Sequence, residues 1–394
     1  MNQSNGIVFI PSYVMAASIF AVITPYLPLL VSDLGYSTVM VGILLGIFEG
    51  AGIAGPILFG LWADRTGRYR LPLILSCIIP AIIAFPLAFL VHPLASALLL
   101  AVMGFGFRSN TPLLDAVTTI QIGKSGNYGK IRVWGSVGFV IFTLYFQWTP
   151  FLRPVSAVNI AFWIMLICIA AIVPIIFLPL AGGKTSHLSN KKTKAVIKNQ
   201  TTEKKPAKKI ISAYFFAGII LIFFGRFSMT SFNSFFPLYL TQELQWDAVG
   251  LIFAIAVSAE IPLLFFSHIL IRRFGALPLL ALSTLAVFIR LMIWALFPYK
   301  PVIICTQLLH SLCFGIYYPA AIDFISQVFP PEKRGFGMSI FLVIGAGLPM
   351  IIGNMIGGVI IDLAGYRSLF AIYAVLSGAA VIVYGILHRK ITKS

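Results

Sequence analysis

Apolar runs of about twenty residues recur along the whole of this chain, and few folds accommodate them. Each is long enough to cross the ~30 Å hydrocarbon core of a bilayer as one helix. The runs are continuous and do not alternate at period two, so helices are expected, not barrel strands. Charged residues make up only 10% of the 394 positions, against about 25% in an average soluble chain. This sequence is expected to fold inside a membrane.

Breaks of charge or turn residues delimit twelve spans, near 7–31, 39–62, 72–91, 94–121, 131–149, 156–180, 211–239, 247–270, 276–297, 301–328, 336–361 and 367–388. The N-terminal "MNQSNG" has no basic region, and the apolar run after it is too long for a signal peptide, so the first helix is expected to stay. One large composition shift falls at 182–209, "GGKTSHLSNKKTKAVIKNQTTEKKPAKK", with nine lysines and one glutamate. It reads as a flexible linker (182–210) between six-span bundles at 1–181 and 211–394. Lys and Arg placement gives 21 on one side and three (Arg153, Lys300 and Arg367) on the other. Both termini are therefore expected in the cytoplasm.

The net charge of +17 sits in loops and the linker, without the aromatic-interleaved surface of a nucleic-acid binder. Cys77, Cys168, Cys305 and Cys313 lie in apolar runs without metal-ligand spacing and read as small buried hydrophobes. "GKS" at 123–125 lacks the preceding strand and the earlier glycine of a phosphate loop. No cofactor, metal or nucleotide is expected, and no nucleophile constellation points to an enzyme.

What the bilayer should refuse is more informative. Glu49, Arg108, Asp115, Arg132, Arg226, Glu260 and Arg290 fall within spans, joined by His268, His310 and Asp323. Each Asp or Arg at mid-membrane costs ~2.5–3.5 kcal/mol on the insertion scale, so such groups face a cavity or a partner. Arg108 and Asp115 are seven residues apart, hence on one helix face and ~10 Å apart. Arg132 and Phe139 share that spacing, bringing a cation and a ring to one face of span five. For Asp115 with Arg132, two readings stand: a salt bridge joining helices, or the lining of a solute site. Glu49 either serves as a further carboxylate of the pathway or neutralises Arg108. Glu260 with Arg290 reads as a proton-handling pair or a static one, and Asp323 as a proton carrier or a helix anchor.

"GLWADRTGRYR" (60–70) resembles the loop motif of the major facilitator superfamily, with Gly60, Asp64, Arg65, Gly67 and Arg68 at the motif positions. Locally, Gly60 would permit close helix contact and Asp64 would accept bonds from a neighbouring helix end. The halves echo one another weakly, "GPILFGLWADRTGRYR" (55–70) against "PLLFFSHILIRRFG" (262–275), as duplicated bundles would. The resemblance implies an all-α integral membrane fold of twelve transmembrane helices in two pseudo-symmetric six-helix bundles. It also implies a loop that stabilises one conformation.

"TPLLDA" (111–116) followed by "YGKIRVWGSVGF" (128–139) is similar to the segment shared by the lactose permease, the phenylpropionate permease and the nucleoside–proton symporters. That resemblance implies substrate-site roles for Asp115, Arg132 and Phe139, with Arg108 nearby. It implies proton coupling for Glu260, Arg290 and His310, which fall on spans eight, nine and ten. Two positions depart from the lactose permease pattern. Cys313 stands where its proton-carrying glutamate would be, and Arg226 replaces an acidic residue on span seven. Proton carriage then falls to Glu260 or Asp323.

The expected function is proton-coupled import of a small organic solute by alternating access. The arginines at 108, 132, 226 and 290 suit a carboxylic acid, aromatic or otherwise, with sugars and nucleosides as alternatives. A proton-driven exporter is a further alternative, although "WGSVGFVIFTLYF" lacks the Gly-Pro-rich pattern of span five in such exporters. A monomer in a bacterial inner membrane is expected, with the bilayer, the solute and protons as partners.

Overall fold

The structure, a computed structural model, describes residues 6–122, 128–149, 155–179, 208–330, 337, 338 and 340–392. Its first half holds α1 (Ile10–Asp33, entered through a 3-10 turn at Ile7–Phe9), α2 (Thr38–Thr66), α3 (Arg70–Phe89), α4 (Pro93–Ile122), α5 (Tyr128–Trp148) and α6 (Ala157–Ile176). In the second half α7 begins as Lys208–Thr230 and runs on through wide turns to Glu243. Then come α8 (Val249–Phe274), α9 (Ala276–Leu296) and α10 (Lys300–Val328). The last helical stretch, Phe341–Gly347 and Leu348–Thr392, is divided at Gly365, whose φ of 79° and ψ of 174° no helix contains. It therefore counts as two, α11 (341–364) and α12 (366–392).

This is the expected fold of twelve helices, with ends within a few residues of the expected ones. Among the described residues, ten stretches are long and apolar enough to cross a membrane, and the last of them spans both α11 and α12. The helix missing from those ten is α5, whose first turns carry Lys130 and Arg132. Ser37 caps α2 by accepting the Met40 N–H, and Ser156 caps α6 by accepting the Asn159 N–H. The expected linker lies outside the described residues, apart from Lys208–Ile210, which open α7.

Among the described residues, four π-helical turns interrupt the second half: Ser231–Phe235 and Tyr239–Glu243 in α7, Ser311–Gly315 in α10, and Phe341–Gly347 in α11. Nothing in the hydrophobic periodicity announces them. Such wide turns concentrate at functional sites, because they rotate the side chains that follow them.

Within the first half α1 packs on α5 and α6, α2 on α4, and α3 on α4 and α6. The halves meet along two pseudo-equivalent seams, α2 against α11 and α5 against α8. Glycine sets the first approach: a Cβ on Gly42 would stand 2.4 Å from the Asn354 carbonyl oxygen. Gly250 does the same for the second, where a Cβ would stand 2.3 Å from the Thr143 carbonyl oxygen. Side-chain bonds tie the same end. Gln242 donates to Ser32, Thr38 donates to Asp362, and Gln147 both donates to the Asp247 carbonyl and accepts the Leu251 N–H. These bonds close the end at which α1 finishes. Large apolar side chains such as Ile82, Leu98, Phe177 and Ile382 stay exposed around the rim, where lipid is their solvent.

The cysteine expectation needs one correction. Cys77, Cys168 and Cys313 are buried, but Cys305 is exposed, because the first turns of α10 lie at the margin of the bundle.

Candidate functional site

The charged residues of the spans gather into three groups. In the first, Arg108 on α4 pairs with Glu49 on α2. The Arg108 guanidinium carbon lies 6.0, 6.0 and 5.3 Å from the ring centres of Phe20, Phe48 and Phe107. Glu49 thus takes the neutralising alternative, and Arg108 is engaged inside the first half.

Asp115 organises the second group. Tyr13 on α1 donates to its Oδ1 at 2.7 Å, and Arg132 on α5 approaches Oδ2 at 3.7 Å. That is an ion-pair distance but not a hydrogen bond. The Arg132 side chain is 57% exposed, so solvent screens the pair. Arg132 lies within Coulombic reach of Tyr13 and Tyr128 in its own half, and of Glu260 and Tyr318 in the other. It is thus a first-half charge that reaches titratable groups of the second half. Phe139, two turns further along α5, is partly buried against the core.

The third group surrounds Arg290 on α9, which is 1% exposed. Here the structure departs from the expected pairing. Arg290 does not pair with Glu260. It donates to His310 Nδ1 at 3.0 Å and to the Gln307 amide oxygen, both on α10. The faces of Phe232 and Trp294 lie 4.2 and 4.7 Å from its guanidinium carbon. Glu260 on α8 instead approaches the other ring nitrogen, with Oε2 3.7 Å from His310 Nε2. Gly315 leaves room for it: a Cβ there would stand 3.1 Å from Glu260 Cγ. Arginine can only donate, so Nδ1 must accept and the ring proton sits on Nε2, facing the carboxylate. His310 is neutral in this arrangement.

Arg226 on α7 is buried beside Phe314 and Tyr318 of α10. Asp323 accepts from Gln327 at 2.7 Å, and Tyr214 of α7 donates to the Gln327 amide oxygen, so Asp323 belongs to a link between α10 and α7. His268 is exposed and stays with its own helix, Nδ1 lying 3.1 Å from the Phe265 carbonyl oxygen.

The motif loop turns at Gly67, whose φ of 65° ends α2. Asp64 accepts from Tyr69 within the loop rather than from a neighbouring helix. Burial and the Asp64 carboxylate push the Tyr69 phenol up to about 12. Gly60 has open space where its Cβ would stand, against the expected close contact. Arg65 and Arg68 are exposed, and Arg70 donates to the Leu178 carbonyl beyond the end of α6.

Sequence reasoning missed Tyr13, Tyr128 and Gln307. For Gln307 a signal existed, since it precedes His310 by three residues and so shares its helix face.

The MFS_1-like family model matches residues 11–372. The chain belongs to that family, within the major facilitator superfamily of membrane transporters. An uncharacterised transporter, YwbF, of Bacillus subtilis (strain 168) is 29% identical over 298 residues, covering 73% of this chain and 69% of that protein. The maltose permease of Geobacillus stearothermophilus is 24% identical over 359 residues, covering 90% and 80%. Among solved structures, the nucleoside transporter NupG superposes with a TM-score of 0.74 at 16% identity, covering 98% of this chain and 99% of that one. A POT family transporter in complex with 5-aminolevulinic acid superposes with a TM-score of 0.74 at 12% identity, covering 100% and 97%. The protein is therefore a multi-pass membrane transporter, not an enzyme.

Proposed function

We propose that this transporter is a proton-coupled symporter that imports a small organic solute carrying a carboxylate, by alternating access. The carrying observation is the arrangement of His310 between Arg290 and Glu260. Arg290 occupies Nδ1, and the proton on Nε2 faces a carboxylate that has no arginine in hydrogen-bond contact among the described residues. Glu260 is the proton carrier in this reading, and Arg132, acting across the gap between the halves, is the charge that changes when they move. Asp115, Arg132 and Phe139 line the solute path, with Tyr13 holding Asp115.

With both termini in the cytoplasm of a bacterial inner membrane, the closed end is the outer one, and the conformation faces inward. A monomer suffices, since all three charge groups lie within one chain. A second reading, a sugar or nucleoside as the solute, is favoured by the maltose permease and NupG among the relatives.

The test follows external pH in lightly buffered vesicles as aromatic acids, sugars and nucleosides are added in turn. Alkalinisation by one class, abolished in Glu260→Gln and Arg132→Ala, supports the reading and names the class. Labelled solute that equilibrates without any pH change would overturn proton coupling.

A further inference from the structure

The charges of the two halves are not balanced alike. In the first half Arg108 and Arg132 each have a carboxylate, Glu49 and Asp115. In the second half the two terminal nitrogens of Arg290 meet neutral acceptors while its Nε stays unpaired among the described residues, and Glu260 turns to His310. That leaves Arg226. It is 6% exposed, and its Nε and Nη1 have no hydrogen-bond partner among the described residues. Its ring contacts, 5.1 Å to Phe314 and 5.7 Å to Tyr318, lie over the guanidinium and leave the N–H edges unfilled. The same guanidinium borders a narrow gap with Ser283, Cys313 and Tyr317, between α7, α9 and α10.

A buried guanidinium without an anion is strongly disfavoured unless something arrives to meet it. The surroundings show where it would arrive. Tyr318 touches Arg226 with its ring, is only partly buried, and lies within Coulombic reach of the exposed Arg132. Phe314 lies on the π turn Ser311–Gly315, a wide turn of the kind frequent at functional sites. It stacks on His310 as well, with ring centres 5.4 Å apart. One pair of rings thus separates the orphan guanidinium from the groups of the solute path.

We propose that Arg226 is an anion subsite of the second half, which receives the carboxylate of the transported solute when Phe314 and Tyr318 turn aside. Guanidinium and carboxylate match as a two-pronged pair, and either fork of Arg226, Nε with Nη2 or Nη1 with Nη2, would give an arriving carboxylate one of the two orphan donors. The inference rests on the reading above only in calling the carboxylate that of the solute. The same chemistry admits a chloride ion, and the test separates the two.

Thermal unfolding of the full chain in detergent is followed with benzoate, with neutral benzamide, and with chloride at equal ionic strength. The wild type is expected to gain a saturable rise in midpoint with benzoate alone. Arg226→Gln is expected to start at a higher midpoint than wild type, because no charge is left orphaned, and to show no benzoate shift. Arg226→Lys keeps the charge but loses the fork, so its half-saturating benzoate concentration rises about tenfold. A benzoate shift unchanged in Arg226→Gln overturns the subsite. So does an absent benzoate shift with Arg226→Gln less stable than wild type, which marks a static structural residue. A chloride shift equal to that of benzoate overturns the carboxylate assignment. No gradient is needed, so a vesicle without alkalinisation but with an Arg226-dependent benzoate shift would sink the coupling and leave the subsite standing.

Discussion

Arg290 donates to Nδ1 of His310 at 3.0 Å, and that one bond decides which ring nitrogen carries the proton. An arginine offers no acceptor, so the imidazole is neutral with its N–H on the side of Glu260. Substituting His310 by Asn keeps an acceptor for Arg290 and removes the proton facing Glu260. His310→Asn is expected to unfold at the wild-type temperature while solute-triggered alkalinisation is lost. A midpoint that falls as alkalinisation persists would show that the ring serves packing alone.

Gln307 supports the same arginine, and it is 0% exposed. Gln307→Leu leaves a buried guanidinium N–H without its acceptor, at a cost of about 1–3 kcal/mol. Gln307→Glu restores an acceptor and adds a counter-charge, so its unfolding midpoint should lie well above that of the leucine variant. Equal midpoints for the two would mean that the contact contributes nothing.

The two first-half ion pairs should respond unequally. Glu49→Gln strands Arg108 beneath three aromatic rings and is expected to cost about 3 kcal/mol, as for other broken, largely buried pairs. Asp115→Asn removes a partner 3.7 Å from a 57% exposed arginine, and its stability cost is expected to stay within about 1 kcal/mol. Transport should fall more in Asp115→Asn than its stability does. A stability loss in Asp115→Asn as large as that in Glu49→Gln would reassign Asp115 to scaffolding.

Closure at one end depends on how near α5 lies to α8. In Gly250→Val the side chain meets the Thr143 carbonyl oxygen and the Tyr26 hydroxyl, which a Cβ would approach to 2.3 and 3.0 Å. The population should shift toward states open at that end. A cysteine placed at Ser32 is then expected to react faster with a membrane-impermeant maleimide than in the Gly250 background. Unchanged labelling would show that the seam relaxes without opening.

Much of the architecture was legible in the sequence for a simple reason. A bilayer accepts only helices with their backbone bonds made internally, so length and apolarity fix span number with little help from context. The break between the last two spans is a local event of the same kind, and the chain makes it at Gly365. The cost of charge in hydrocarbon likewise singles out Glu49, Asp115, Arg132, Arg226, Glu260, Arg290 and His310 from the sequence alone.

Pairing was a different matter. Arg290 and Glu260 look like natural partners in the sequence, yet Arg290 is claimed by two acceptors on α10, and Glu260 reaches only the far side of His310. Tyr13 could not be tied to Asp115 from a separation of 102 residues. The π turn at Ser311–Gly315 shifts the register of everything after it on α10, and no hydrophobic period encodes that shift. The sequence alone determined how often the chain crosses the membrane and which residues cannot be there without a purpose. Tertiary structure decided which charge meets which, because interactions between ions fall within a few ångströms and depend on helix rotation and bundle packing. Helix rotation and bundle packing are properties of the assembled halves, and no single span contains them.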